Sequence, residues 1–196
     1  MRTAARAKRA ARPKAAPETP EMQALRERVD NLSRLMEVTA LISSTLDLEE
    51  VLQRVMRLAK EIMGAEAASV ILWNEKEQCL EFQTSVGEVG VEELKAVRIP
   101  KGQGIAGSVM ESGQPLLVAD VSKDPRFFAK ADEKTGFVTR SILAAPLIVH
   151  DKVIGVGEVL NHKGGRPFTE LDLQLFASFC RQVAVAIENA RLHKAE

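Results

Sequence analysis

Three glycines in the middle of the chain have the spacing of a phosphate-binding turn. Gly102, Gly104 and Gly107 spell G-x-G-x-x-G. This is a dinucleotide-binding fingerprint, but no βαβ pattern surrounds it and Pro100 ends the preceding strand. The sequence instead predicts a tight turn into a helix that starts at Ile105. Two interpretations stay open: a turn that only needs small residues, or an anion site made by free N–H groups at the helix start.

A single carboxylate interrupts the most apolar part of the sequence. Two apolar runs, Ile142 to Val149 and Val153 to Leu160, flank the polar pair His150-Asp151. This pattern predicts a β-hairpin with a two-residue turn, buried on both faces and central in its sheet. Glu158 lies in the second run. Because an unpaired carboxylate is costly in a dry helix–sheet layer, we expect it to face a ligand cavity. The alternative is that it reaches water or Lys163.

The register of this hairpin decides which residues share a side with Glu158. Simple pairing across the two-residue turn places Leu143 opposite Glu158. Alternation then predicts the residues of the cavity side: Ser141, Leu143, Ala145, Val156, Glu158 and Leu160. Small residues are predicted on the other side, where they let helices approach: Ala144, Pro146, Gly155 and Gly157.

The sequence offers little for metal or nucleophile chemistry. The three histidines, His150, His162 and His193, do not have the spacing of metal ligands. The two cysteines, Cys79 and Cys180, form no C-x-x-C motif, which is typical of a reducing compartment. We therefore predict no metal site and no enzymatic activity.

The composition changes twice along the chain. Residues 1–18 carry six basic residues and one acidic residue, with little to bury, and predict a disordered basic tail. Weak contact with a polyanion, or a targeting role, are the alternatives. Residues 19–46 predict a helix capped by Thr19, and residues 47–196 the folded domain. Apolar residues at alternating spacings of 3 and 4 predict a coiled-coil seam, or a face that packs on its own domain: Leu25, Val29, Leu32 and Met36.

The order of the remaining elements predicts an α+β fold. A capping box opens a helix at Asp47, and Thr169 caps a final long helix. Between them we predict four strands before the hairpin: Ala67 to Trp73, Leu80 to Val86, Val97 to Ile99 and Leu116 to Val118. One antiparallel sheet with the first and last helices on one face fits this order. No apolar run approaches the roughly 20 residues of a membrane span, so we expect a cytoplasmic protein without membrane contact.

Four segments in this order resemble the GAF domain, a signalling module found in phosphodiesterases, phytochromes and histidine kinases. They are LDLEEVLQRVMRLAKEIMGAEAASVILW, IPKGQGIAGSVMESGQPLLVADVSKDPRF, RSILAAPLIVHDKVIGVGEVLN and FTELDLQLF. The resemblance implies a six-stranded antiparallel sheet with terminal helices on one face. It also implies a ligand pocket on the other face and dimers formed through the terminal helices.

Four residues partly match the N-K-x-n-F-x-x-x-D-E signature of the cyclic-nucleotide-binding members: Asn161, Lys163, Phe168 and Asp172. His162 stands where the signature has Lys directly after Asn, and Leu173 replaces its final Glu. Thr169 and Asp172 also form a helix-capping arrangement by themselves.

The resemblance implies a noncatalytic sensory module that binds a small ligand, with a cyclic nucleotide or another metabolite as candidates. We expect a homodimer, an output through a signalling partner, and neither bilin nor haem. The alternative is an adaptor that binds no small molecule and acts only by dimerisation and protein contacts. The candidate ligand-binding residues are Gly102, Gly104, Ile105, Ala106, Asp120, Phe127, Ser141, Leu143 and Glu158.

Overall fold

The computed structural model describes residues 19–26, 28–30, 48–88 and 91–195. The predicted tail and most of the predicted coiled-coil helix, including Leu32 and Met36, lie outside these residues. Residues 20–26 and 28–30 are helical and are called α1 here. The Thr19 hydroxyl accepts a hydrogen bond from the Met22 N–H (3.3 Å), which is the cap that the sequence predicts.

The predicted α+β fold with one antiparallel sheet is confirmed. Six strands pair in the order β3-β2-β1-β6-β5-β4, and every pairing is antiparallel. The hairpin strands are both internal, as predicted. The strands are β1 (Ala65–Asn74), β2 (Cys79–Val86), β3 (Arg98–Pro100), β4 (Leu116–Val118), β5 (Ile142–Val149) and β6 (Lys152–His162).

Helices cover the sheet on both faces and create two apolar layers. On one face the two long helices pack through residues such as Met56 and Phe176, both fully buried. On the other face shorter elements form a second core around Ile71, Val109 and Val156. The helices are α2 (Leu48–Ile62), α3 (Val91–Leu94), α4 (Gly104–Ser112), α5 (Lys130–Thr135) and α6 (Glu170–Ala195). The helices α2 and α6, at the two ends of the folded domain, therefore share one face, as predicted.

A β-bulge changes the register of the central hairpin. His150 and Asp151 both have positive φ (45° and 61°), as a two-residue hairpin turn requires. Val149 pairs with Lys152, but the register then shifts between Leu147 and Ile148, so that Ile154 is left as an extra residue.

The predicted pairing of Leu143 with Glu158 is therefore wrong. Glu158 lies opposite Ala144, and Leu143 lies opposite Val159. As a consequence, Leu143 and Ala145 belong to the layer under α6, whereas Ala144 belongs to the opposite core. The sides predicted for the β6 residues are unaffected, because the shift moves only their partners on β5.

Glycines in the α4 turn serve backbone geometry and close packing. Gly102 and Gly104 have positive φ (77° and 72°), which L-residues with a Cβ rarely adopt. A Cβ on Gly107 would lie 2.6 Å from the Pro100 carbonyl oxygen. The Gly102 N–H also donates to the Gly107 carbonyl (2.9 Å). Each glycine of the G-x-G-x-x-G motif thus has a structural reason to be small.

Two glycines with nearly the same φ allow strain and packing to be separated. Gly104 and Gly136 have φ of 72° and 73°. A Cβ on Gly104 would lie 3.0 Å from Phe128 Cβ, whereas a Cβ on Gly136 would meet nothing within 4 Å. We expect Gly136→Ala to lose about 1 kcal/mol of unfolding free energy from backbone strain. Gly104→Ala should lose about 1 kcal/mol more because Phe128 must move. Urea unfolding measures both, and equal losses would show that Phe128 does not restrict this turn.

Candidate functional site

A cavity lies between the sheet and the elements α3, α4 and α5. The space open to the centre of a water molecule is about 80 Å³, several times the roughly 10–15 Å³ that one water needs. Its wall is mainly apolar and includes four phenylalanines: Phe82, Phe127, Phe128 and Phe137. The cavity therefore has room for a small molecule and an apolar surface to bind it.

Strand β6 places the Glu158 carboxyl in this cavity. The residue is 8% exposed, and burial followed by repulsion from Asp132 raises its pKa from 4.5 to about 7. No hydrogen-bond donor or cation of the described residues opposes this rise in pKa. A buried carboxyl without such a partner is costly, so this group is the main electrostatic feature of the site.

Two further polar groups accompany Glu158 in the cavity wall. Ser69 lies directly opposite Glu158 on β1, is 4% exposed, and its hydroxyl has no hydrogen-bond partner among the described residues. Asp132 reaches the cavity from α5. Its carboxylate accepts hydrogen bonds from the Thr139 N–H (2.8 Å) and hydroxyl (2.7 Å). Thr139 thereby fixes the second carboxylate of the site.

The N-terminus of α4 lines the same cavity. Gly104, Ile105 and Ala106 are all in the wall. The Gly107 N–H donates to the Gln103 carbonyl (3.1 Å), so the N–H groups of the three wall residues belong to the first turn of the helix. The Gln103 side chain makes no capping hydrogen bond. This end of the cavity is thus favourable for negative charge or a carbonyl oxygen.

The structure brings five of the nine candidate ligand-binding residues to the cavity wall: Gly104, Ile105, Ala106, Phe127 and Glu158. The other four, Gly102, Asp120, Ser141 and Leu143, are not among the residues of the wall.

Each of these four residues has another place in the fold. Gly102 forms the turn before α4. Asp120 caps the 3-10 turn Val121–Lys123, since its carboxylate accepts from the Ser122 N–H (3.1 Å) and hydroxyl (2.7 Å). The Ser141 backbone bonds to Asn161. Leu143 packs on the opposite layer because of the bulge.

Asn161 ties three segments together outside the cavity. It is 1% exposed, and its Oδ1 accepts from the Arg140 N–H (2.6 Å) and the Ser141 N–H (3.2 Å). Its Nδ2 donates to the Glu66 carboxylate (2.9 Å) and the Val138 carbonyl (2.8 Å). All the hydrogen-bonding groups of this side chain are therefore used, and they connect the segment before β5 to β6 and β1.

The other signature residues also have structural partners. Asp172 accepts from the Thr169 N–H (2.8 Å), and its own N–H donates to the Thr169 hydroxyl (3.2 Å), which is a capping box. Its ion-pair partner is Arg166 (2.9 Å), whereas Lys163 is exposed. Phe168 is buried edge-on against His162. Burial would raise the pKa of Asp172, but bonds from Arg166 and Thr169 outweigh it and lower the pKa.

Sequence analysis missed the polar groups that surround Glu158. Ser69 follows from the pairing of β1 with β6. Asp132 follows from the short helix α5, in a polar segment for which the sequence predicts no helix or strand. The Phe127-Phe128 pair is a signal for an apolar anchor in this stretch. Among the described residues, no cluster of three metal-ligating side chains occurs. None of the described helices has the length and apolarity to cross a membrane.

Glu158→Gln should remove a pH-dependent loss of stability. The pKa of Glu158 is raised from 4.5 to about 7, so between these values the folded protein binds more protons than the unfolded chain. Its free energy of unfolding therefore falls as the pH rises through this window, by about 3 kcal/mol in total. The free energy of unfolding of the variant minus that of the wild type, measured by urea unfolding, should therefore increase by this amount between about pH 4 and pH 8.

A matched control is Glu77→Gln, which removes an exposed carboxylate from the turn between β1 and β2. The difference between this control and the wild type should not change appreciably over the same pH range. If the difference in free energy of unfolding between Glu158→Gln and the wild type is also independent of pH, the result would contradict the burial of an unpaired carboxyl.

The comparisons with known proteins agree with this architecture. The family model of the GAF domain matches residues 47–187. Over 156 residues the chain is 31% identical to a probable 3',5'-cyclic phosphodiesterase, pde-5, of Caenorhabditis elegans, covering 76% of this chain and 21% of that protein. Over 105 residues it is 36% identical to the dual 3',5'-cyclic-AMP and -GMP phosphodiesterase 11 of Drosophila melanogaster, covering 53% and 7%. The chain thus spans less than a quarter of these relatives.

A solved structure shows the same fold. The GAF domain from a phosphoenolpyruvate-protein phosphotransferase of Coxiella burnetii superposes with a TM-score of 0.73 at 19% identity, over 87% of this chain and 98% of that one. The sheet order, the helical layer and the family match lead to one conclusion: this chain belongs to the GAF domain family.

Proposed function

We propose that this chain is a noncatalytic sensory module whose cavity binds a small organic ligand. The observation that carries the proposal is the Glu158 carboxyl, which is buried in the cavity wall and lacks a stabilising partner among the described residues. A buried carboxyl with a raised pKa in a cavity is a candidate for a functional group. A ligand that donates hydrogen bonds to Glu158 would supply the missing interaction.

The same strand supports a route from the ligand to the terminal helices. Glu158 faces the cavity, and its neighbour Gly157 faces α6, where an added Cβ would lie 2.6 Å from Cys180 Sγ. This close contact leaves β6 little freedom to move without α6. A shift of β6 on ligand binding would therefore reach α6, and through it a signalling partner.

A cyclic nucleotide is one candidate for the small ligand. The N-terminus of α4 in the cavity wall favours this class because it can accept a phosphate. The two relatives named above are a dual 3',5'-cyclic-AMP and -GMP phosphodiesterase and a probable 3',5'-cyclic phosphodiesterase. An adaptor without a small ligand is the alternative function, and it gives Glu158 no role.

Ligand binding is tested by a thermal-shift screen of the full chain against cyclic AMP, cyclic GMP and a set of small metabolites that includes amines. A ligand at 100 times its Kd should stabilise the wild type by about 2.7 kcal/mol. Glu158→Gln should reduce this effect, and the exposed control Glu77→Gln should retain it. If no compound stabilises the wild type at millimolar concentration, the adaptor function is favoured.

Dimerisation through α1 is the second part of the proposal. Leu25 and Val29 are half-buried on the described part of α1 and belong to the seam that continues in sequence to Leu32 and Met36. Leu25→Glu with Val29→Glu should give a folded monomer, measured by light scattering with circular dichroism. The control Arg28→Glu, at an exposed position of the same helix, should remain a dimer. A monomeric wild type at micromolar concentration would contradict this part.

A further inference from the structure

The charged groups of the cavity identify the class of ligand more narrowly. We infer that the cavity binds a primary organic ammonium with a compact apolar body, its N–H groups shared by Glu158, Asp132 and Ser69. This inference rests on the proposed ligand-binding function and adds the chemistry of the ligand to it.

The first argument is the sign of the charge in the wall. Among the described residues, the lining contains two carboxylates, Glu158 and Asp132, and no lysine, arginine or histidine. Repulsion between these carboxylates disfavours the ionised form of Glu158. An anionic ligand would add a third negative charge with only the start of α4 to oppose it. A cation would neutralise the wall instead, as buried charges require.

The second argument is an acceptor that no protein group uses. The Ser69 hydroxyl is 4% exposed, faces the cavity from the position opposite Glu158, and has no partner among the described residues. Side chains at such opposed positions have Cβ atoms roughly 4.5–5.5 Å apart. A group that donates to both Ser69 and Glu158 therefore has to be small, because both acceptors lie at one end of the cavity.

The number of donors favours an ammonium group over a hydroxyl. An ammonium has three N–H donors and no acceptor. Among the acceptors of the described wall, the Glu158 carboxylate, the Asp132 carboxylate and the unpartnered Ser69 hydroxyl can each accept one of these N–H groups. The hydrogen bonds from Thr139 hold Asp132 in place and leave further lone pairs on its oxygens. A ligand hydroxyl has one donor and would leave acceptors unused.

The third argument is the aromatic wall. Phe82, Phe127, Phe128 and Phe137 line the cavity, and phenylalanine faces attract organic cations as well as apolar groups. The combination of phenylalanines with two carboxylates matches an ammonium joined to an aryl or branched alkyl body. A purely inorganic cation would use the carboxylates but would leave the apolar wall in contact with water.

The test compares three probes of similar shape on the full chain at about pH 8, where Glu158 is ionised. Calorimetry should detect binding of 2-phenylethylammonium. The neutral 2-phenylethanol and the anionic 3-phenylpropanoate should bind at least 10-fold more weakly. Glu158→Gln and Asp132→Asn should each weaken binding of the ammonium at least 10-fold, and Ser69→Ala should weaken it less. Glu77→Gln should bind as the wild type does.

A second readout excludes a merely structural effect of these variants. Near pH 6.5 the ammonium should displace protons from Glu158, which calorimetry in buffers of different ionisation enthalpy measures. Glu158→Gln should release none, and its circular dichroism spectrum should match the wild type.

Equal or tighter binding of the alcohol or the carboxylate overturns the inference, and so does failure of all three probes to bind. If a cyclic nucleotide from the screen binds while the ammonium does not, the ligand class is wrong but the sensory function stands. If no compound binds at all, both fail.

Discussion

Strand β6 has to be buried on both faces, and the rest of the domain depends on how this is achieved. Towards α6 it presents Gly157, whose missing side chain lets the Cys180 sulfur approach within the space of a Cβ. Towards the second layer it presents Val156 and Glu158. Gly157 lets α6 pack closely on one face, and the other face carries a carboxyl that is costly in an apolar layer.

The Glu158 carboxyl faces a cavity instead of an apolar layer, but its burial there still costs free energy. Burial and the neighbouring Asp132 raise the pKa of Glu158 to about 7, and Asn161, Asp172 and Thr139 hold the surrounding loops by hydrogen bonds outside or at the edge of the cavity. The signature residues Asn161 and Asp172 thus stabilise the fold, and a different set, Glu158, Ser69 and Asp132, lines the cavity.

The fold could be predicted from the sequence because its signals are local and strong. The apolar runs around His150-Asp151 predict a buried hairpin, and the capping residues Thr19 and Thr169 mark helix starts that the structure contains. The site was predicted less well, since it depends on register and on distant pairing. The bulge at Ile154 exchanges the sides of Leu143 and Ala144, and the simple alternation used for the prediction ignored Gly155 and Pro146 beside it, residue types that often mark a bulge. Asp132 enters the site only through tertiary packing of a six-residue helix.

The protonation of Glu158 in the ligand-free protein tests the central claim most directly. Carboxyl-carbon NMR of glutamate-labelled protein, with Glu158→Gln to assign the resonance, follows this one group through a pH titration. A buried carboxyl beside Asp132 predicts a midpoint near 7, well above the ordinary value of 4.5. A midpoint at or below 4.5 would mean that Glu158 is solvated or paired, and would contradict this account of the cavity.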